Sequence, residues 1–561
     1  MAIIDKIIKD FFENNNNLKS YLLLLNIFLI LLSITGFNLG VLPFKHIGDF
    51  IFLIFIVFLF ALYRPGWAFL FFVGTIILEN INLAPENIEL MLRPYQILGA
   101  LGMLAIIIRF FSKRLNFNIP KFFWYDWMLV LFSVSGFVSA LLANNKEIAL
   151  KQSLVIFSFL VLYFFSRIFI QSLKDIKRIL PFFLGSSFIV IIYSIWQNWR
   201  FLHYKNHFEA MAGRPNGTFV EADWLGMFLV FLLAIIYSLI YQINYKLKNT
   251  QKFSILPISR QVFKQFINSN NQNINWKLGF KIFSYFLLLT TCYALLILTV
   301  SRSAWLGAGV VSVIFILYIL KNKNYNLLGL IFNSILLSFG IIYIFGLTNF
   351  ELGNRIQSTG SGKQEITISC GKSNDVPRLI RNVSELEKYN CRHINLENIE
   401  KEKLAGHAVI KVYRDDPSVS IRGEIYKKSW EEIKKNPIFG IGWGNISEIL
   451  GVDKRGAGLN SSNIFLEIWL GAGIVGLIVF VLVLGNIFYK GILLFGNNFK
   501  FKISNLKSNT NDQIFNGKEE TQVWKLFLIL SFFAILIPNL FNAGIMLGFL
   551  WMWLAIVQIK N

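Results

Sequence analysis

The sequence predicts an all-α fold, a polytopic membrane helix bundle of about 12–14 transmembrane helices with one long polar loop. Three observations carry that expectation. Only 15% of the 561 residues are charged and 55% are hydrophobic, whereas soluble domains carry about 25% charged residues. The apolar residues gather in runs close to the ~20 needed to cross a hydrocarbon layer. The formal net charge of +22 falls mainly in the segments between alternate runs, where the positive-inside rule puts cytoplasmic loops. The charge therefore implies a lipid bilayer and no nucleic acid as partner. Three cysteines are too few for a thiolate metal site or a disulfide scaffold.

Fourteen spans are expected, at 21–42, 47–63, 65–82, 94–111, 125–143, 149–170, 179–199, 222–244, 279–300, 303–320, 326–347, 463–488, 523–540 and 542–558. The pairs around Arg64 and around Pro538–Asn539 also read as single broken or re-entrant elements. The first run is too long for a signal-peptide core and lacks a cleavage site, so it reads as a retained span. Lys6, Lys9 and Lys19, Arg64, Lys113 and Arg114, Lys174, Lys177 and Arg178, and Lys321 and Lys323 then share one side with the basic segments 245–278 and 489–522. That side is cytoplasmic. Residues 200–222, the turn Ser301–Arg302–Ser303 and the loop 348–462 face outward.

The expected organisation is an N-terminal bundle (1–347), an extracytoplasmic loop (348–462) and C-terminal helices (463–561). Inside the loop, EITISC and HAVIKVYR read as strands of a small soluble insert at about 362–416. Cys370 and Cys391 lie in it, either bridged in an oxidising compartment or free and buried. The tracts Asn14–Asn17 and Asn268–Asn275 read as low-complexity linkers. A helix is expected from Ile421 to Lys435, stopped by Pro437 and the glycines Gly440, Gly442 and Gly444. Arg422, Tyr426, Trp430 and Ile433 share one face of it.

Three outward arginines are candidate anion ligands: Arg214 in GRPNGTFVEADWLG, Arg302 in LTVSRSAWLGAG, and Arg422. A guanidinium at a membrane mouth is costly to desolvate unless it meets an anion, and its planar fork matches phosphate oxygens. Singly, each also reads as an interfacial arginine snorkelling to headgroups. His203 and His207 have the four-residue spacing of helical metal ligands, but no third ligand is evident. Asp415–Asp416 reads as the start of the linker back to the membrane.

The motifs GRPNGTFVEADWLG, VSRSAWLGA, SIRGEIYKKSWEEIKKNPIFGIGWGN and SSNIFLEIWLGAGIVGLI span roughly residues 212–485. Through them the chain resembles the O-antigen ligase/polymerase superfamily of bacterial membrane glycosyltransferases. The resemblance implies the C-type glycosyltransferase fold and a glycan donor linked by pyrophosphate to a polyprenol such as undecaprenol. It further implies a glycan or glycolipid acceptor, with no metal and no cofactor. It assigns Arg214, Arg302 and Arg422 to the diphosphate, and Ser462 and Asn463 to substrate. Ligases of this family carry a histidine where this chain has Ser462, and a hydroxyl cannot replace imidazole as a base. Glu467, one turn after Asn463, and Glu221, beside the Arg214 motif, are the carboxylates placed to assist an acceptor hydroxyl, or else to pair with an arginine. Two other classes use similar groups. A flippase would need binding groups reachable from both sides, and the sequence shows no internal repeat. A metal-dependent oligosaccharyltransferase would use Glu86 and Glu89, which lack acidic companions.

Overall fold

The computed structural model describes residues 16–88, 90–115, 119–204, 213–250, 273–347, 362–371, 376–380, 383–394, 399–415, 417–451, 458–496 and 511–559. It is an all-α polytopic bundle. The helices before the long loop are α1 (Asn16–Asn38), α2 (Ile47–Tyr63), α3 (Pro65–Thr75), α4 (Pro94–Phe111), α5 (Trp124–Leu142) and α6 (Lys146–Phe169). They continue with α7 (Leu173–Tyr204), α8 (Ala222–Thr250), α9 (Asn273–Leu298), α10 (Arg302–Lys321) and α11 (Asn326–Ile344). After the loop come α15 (Ile464–Gly496), α16 (Asn511–Asn539) and α17 (Gly548–Ile556). Helix α15 lies along α5, and α16 lies between α8 and α10.

Among the described residues 11 helices are long and apolar enough to cross a membrane. The other three expected spans fall on shorter helices. Helix α2 has 17 residues and α3 only 11. Arg64 ends one and begins the other, and Pro65 at the first helical position fixes the new start. The expected span 65–82 stops at Thr75 because the chain turns inward there around Glu79, which is fully buried. Likewise 542–558 yields a 3-10 turn at Gly544–Met546 and nine residues of α17. Asn539 stops α16 by accepting the Gly544 amide on its Oδ1 (2.9 Å).

The loop carries a four-stranded sheet in the order β2-β4-β1-β3, built from β1 (Lys363–Cys370), β2 (Leu379–Ile380), β3 (Cys391–His393) and β4 (Ala408–Asp415). The runs EITISC and HAVIKVYR pair antiparallel as β1 and β4. Cys370 and Cys391 face each other across β1 and β3 and form a disulfide. Between β3 and β4, helix α12 (Ile399–Leu404) brings in Glu402. Hydrogen bonds from Ser369, His407 and Arg392 hold its carboxyl at about 2.

After the sheet runs α13 (Pro417–Lys435), whose buried line is Ile425, Ser429 and Ile433. The buried face is therefore turned by about one residue from the expected Arg422–Tyr426–Trp430 line. Trp430 stays 46% exposed, edge-on to Trp469 of α15, while Arg422 and Tyr426 are half-buried. Beyond Pro437 the chain enters the bundle as an irregular segment, 438–445, before the short helix α14 (Ile446–Leu450). Helix α15 is broken at Gly473, whose φ of 69° is left-handed. The Leu470 carbonyl accepts from the Ile441 (2.7 Å) and Gly442 (3.2 Å) amides, and the Ile474 amide donates to the Ile438 carbonyl (3.1 Å). Trp443 is thereby driven into the core, fully buried between Gly136 of α5 and Gly471 of α15. A Cβ on Gly471 would lie 2.3 Å from its ring.

Two outcomes follow from this packing. Trp443→Ala leaves a large void, at a cost of about 3–5 kcal/mol by analogy with core truncations, and Gly471→Ala should do similar damage. Both should unfold at lower temperature in detergent; Gly471→Ala melting with the unaltered protein would mean the tryptophan does not fill this slot. Separately, non-reduced peptide mapping should find Cys370 joined to Cys391 and Cys292 free. Losing the bridge, which closes a segment with a sequence separation of 21, should destabilise the insert by roughly 3 kcal/mol. Both thiols free in the isolated protein would contradict the pairing.

Candidate active site

One end of the bundle carries a polar layer assembled from helix termini. It begins at residues 213–219, between α7 and α8. Arg214 is buried, and its Nε donates to the Thr299 carbonyl (3.0 Å) at the end of α9. Its Nη2 donates to Asp223 Oδ1 (3.0 Å) in the first turn of α8. The same Asp223 oxygen accepts the Ser301 hydroxyl (2.5 Å). Ser301 caps α10 from extended backbone, but its hydroxyl serves Asp223 and Ser303 and makes no capping bond to the helix backbone. Arg302 is the first residue of α10 and is half-buried. On its other side Ser303 accepts from Asn542 Nδ2 (2.8 Å).

From above, α13 lowers Arg422 to the same place. Arg422 and Arg214 both act electrostatically on Asp223. One turn on, the Tyr426 hydroxyl donates to the Ser462 carbonyl (3.3 Å). Burial raises the Tyr426 phenol, with Arg422 pulling the other way. Ser462 itself sits at φ 50°, in the left-handed region, and this strained residue turns the chain into α15. Asp223 therefore links segments that carry Arg214, Arg302 and Arg422, which lie far apart in sequence.

The remaining sequence candidates have other partners. Asn463 caps α15: its Oδ1 accepts from the Phe465 (2.9 Å) and Leu466 (3.2 Å) amides, as an N-cap does. Its amide nitrogen donates to the Leu540 carbonyl (3.0 Å), which ties α15 to the end of α16. Glu467 Oε2 accepts from the Ser461 amide (2.8 Å) and hydroxyl (2.7 Å), so the carboxylate braces the turn that carries Ser462. Glu221 offers its carbonyl to the Trp224 and Leu225 amides at the start of α8. His203 is exposed, stacked on Trp199 and bonded to the Trp199 carbonyl. His207, Glu89 and Asp416 lie outside the described residues. Among the described residues no three His, Cys, Asp or Glu side chains gather as a metal site.

Two groups escaped the sequence reading. Asp223 sits inside the quoted GRPNGTFVEADWLG motif and was passed over for Glu221. The alternation of helix and loop offered a signal, since position 223 is in the first turn of α8, facing the layer. The other group is the Glu79–Arg93 pair (3.1 Å), joined by the Tyr95 hydroxyl (2.7 Å) and the Gly548 amide (2.7 Å). It pins Glu79, and Arg93 with it, against the start of α17. The neighbouring Asn80 amide and Ile77 carbonyl then hold Thr218, and so the Arg214 segment.

Compared with known families, residues 283–481 match the family model described as O-antigen ligase. No curated protein and no solved structure matches the chain. The matched stretch contains Arg302, Arg422, the inserted segment around Trp443 and the Ser461–Asn463 turn, while Arg214 lies before it. This match supports membership of the chain in the O-antigen ligase superfamily, as a multi-pass membrane enzyme of the O-antigen ligase type in glycan assembly.

Proposed function

We propose that this enzyme transfers or polymerises a polyprenyl-pyrophosphate-linked glycan at the outer face of the cytoplasmic membrane, onto a glycan or glycolipid acceptor. The observation that carries the reading is the meeting of three arginine-bearing segments at Asp223. Arginines on three elements can surround a diphosphate as no single helix can, and each contact is a charge-assisted hydrogen bond. The orientation is supported by the basic residues at the far helix ends: Lys113 and Arg114 after α4, Lys174 and Lys177 in α7, Lys321 at the end of α10 and Lys323 just after it. A disulfide in the loop also suits an oxidising compartment. In this reading residues 348–462 form the extracytoplasmic loop between two sets of membrane helices.

In the proposed step the acceptor hydroxyl attacks the anomeric carbon as the bond from that carbon to the diphosphate oxygen breaks. The configuration inverts, and the diphosphate departs with the electron pair. Arg214, Arg302 and Arg422 stabilise the charge that builds on it. The hydroxyl proton leaves late, once bonding to carbon has made it acidic, and water at the mouth accepts it. A leaving group held this way lowers the demand for a base, which suits a chain with Ser462 at the usual histidine position. Asp223 is a positioning residue here. It holds Arg214 and Ser301 in place before substrate arrives, and its own pairing with arginine makes it a poor base.

Purified protein given a polyprenyl-pyrophosphate oligosaccharide should yield elongated or shifted glycan, with a ladder for polymerisation and one shifted acceptor for ligation. Replacing any one of the three arginines by alanine should lower transfer roughly ten- to hundredfold, the loss of one charge-assisted contact of about 1.5–3 kcal/mol. Lysine should rescue only in part, since an ammonium lacks the bidentate fork. Asp223→Asn should also slow transfer, and pairs of variants should be non-additive. Unimpaired turnover by both Arg302→Ala and Arg422→Ala, at matched amounts in membranes, would refute the diphosphate assignment.

A further inference from the structure

At the end of the bundle opposite the arginine layer a second feature stands apart from the proposed chemistry. A partly open cavity of about 130 Å³ lies between the first turns of α7, the middle of α8, the start of the α16 span and the end of α17. Phe183, Phe231, Trp524 and Met552 wall it, with Lys177 and Gln242 as polar residues on its lining. Each of these helices has its other end near the arginine layer, through Gln197, Asp223, Asn539 and Gly548. Along α8 the lining runs from Phe231 to Gln242, roughly 12–28 Å from Asp223 at about 1.5 Å per residue. It is close in size to the ~150 Å³ apolar cavities that stay dry and accept a benzene ring. Leu180, Leu239 and Phe527 are only half-buried, so the space opens sideways, toward whatever surrounds the bundle.

In a bilayer that surrounding is hydrocarbon, and a lipid chain is the apolar species at high concentration there. Chain burial alone gives no preference, since one hydrocarbon setting replaces another. The head group decides, and the charges at this end are basic. Lys174 and Lys177 are exposed on the first turn of α7. Arg178 pairs with Asp175 (2.9 Å) and lies within electrostatic reach of Lys19 on α1. We propose that this cavity is a binding site for an anionic phospholipid of the leaflet on that side. One acyl chain enters between α7, α8 and α16, and the phosphate sits at Lys177. Trp524, buried in the wall, is the natural reporter of occupancy.

The test uses the full chain in liposomes containing dibrominated phosphatidylglycerol or dibrominated phosphatidylcholine at equal fractions. Bromine quenches tryptophan on contact, and the difference between unaltered protein and Trp524→Phe isolates the reporter. The expected result is stronger quenching of that component by the glycerol lipid, saturating at a low mole fraction. Lys177→Ala, an exposed site that should leave the fold intact, should cut the preference about fivefold, the worth of one basic residue at a charged surface. High salt should weaken it too. Equal quenching by the two lipids, or a preference that survives Lys177→Ala, would overturn the headgroup assignment. No quenching by either would mean that another segment of this chain fills the cavity, and the proposal would fail.

Discussion

Everything at the polar end depends on how the broken helix α15 satisfies its own backbone. Inside a bilayer an unpaired amide or carbonyl costs several kcal/mol, so irregular backbone survives only where protein covers it. Gly473 interrupts the α15 ladder and exposes such groups, and the segment after Pro437 supplies their partners. Leu470 receives the Ile441 and Gly442 amides, and Ile474 gives its amide to Ile438. The exchange is mutual, since the segment's own groups are met in return. Left-handed glycines make it possible: a Cβ on Gly473 would lie 2.1 Å from the Ile438 oxygen. Trp443 then locks the insertion by shape, since among the described residues its indole nitrogen has no hydrogen-bond partner. With the segment fixed, α13 is fixed, and so is the position of Arg422.

The charged groups follow a consistent division. The most deeply buried pairs, Glu79 with Arg93 and Asp126 with Arg167, tie loops or helix ends to the bundle, the first beside the Arg214 segment and the second at the start of α5. Removing one partner of such a pair would strand the other, which is why these act as structural clasps. At the mouth the balance shifts toward cations. Asp223 there touches Arg214 directly and feels Arg422 as well. A layer assembled in this way is suited to an added anion; the Glu467 carboxylate braces the Ser461 turn, and Glu221 serves the start of α8 through its backbone carbonyl.

The bundle itself was legible in the sequence, because span length and basic loops reflect the bilayer and need no tertiary information. The strands of the insert were also legible, from β-rich runs bounded by turns, and so was the class of enzyme, chiefly from the Arg422 run and the SSNIFLEIWLGAGIVGLI run after it. The details lost were tertiary. A glycine in an apolar run gives no sign that α15 will break at Gly473 and not at Gly471. Of the expected face of α13 only Ile433 is fully buried; Ile425 and Ser429 join it because α14 and α15 pack on that side, which periodicity on one helix cannot foresee. Spans 65–82 and 542–558 read from hydropathy either as crossings or as halves of broken or re-entrant elements around Arg64 and Pro538–Asn539. Their apolar residues are instead buried against protein around Glu79 and Gly548, and hydropathy does not distinguish lipid from a protein interior. Asp223 was overlooked because its importance lies in partners far away in the chain.

The central claim is that the inserted segment sets α13, and with it Arg422, over the Asp223 layer. The direct measurement is short-span crosslinking of Tyr426→Cys to Ser462→Cys in a Cys292→Ser background, in membranes. The account predicts efficient linkage, and a sharp drop when Gly442→Val prevents the segment from seating against Ala143 and Ala149. No linkage in the otherwise unaltered chain, or linkage indifferent to Gly442→Val, would show that something other than this insertion positions the arginine helix.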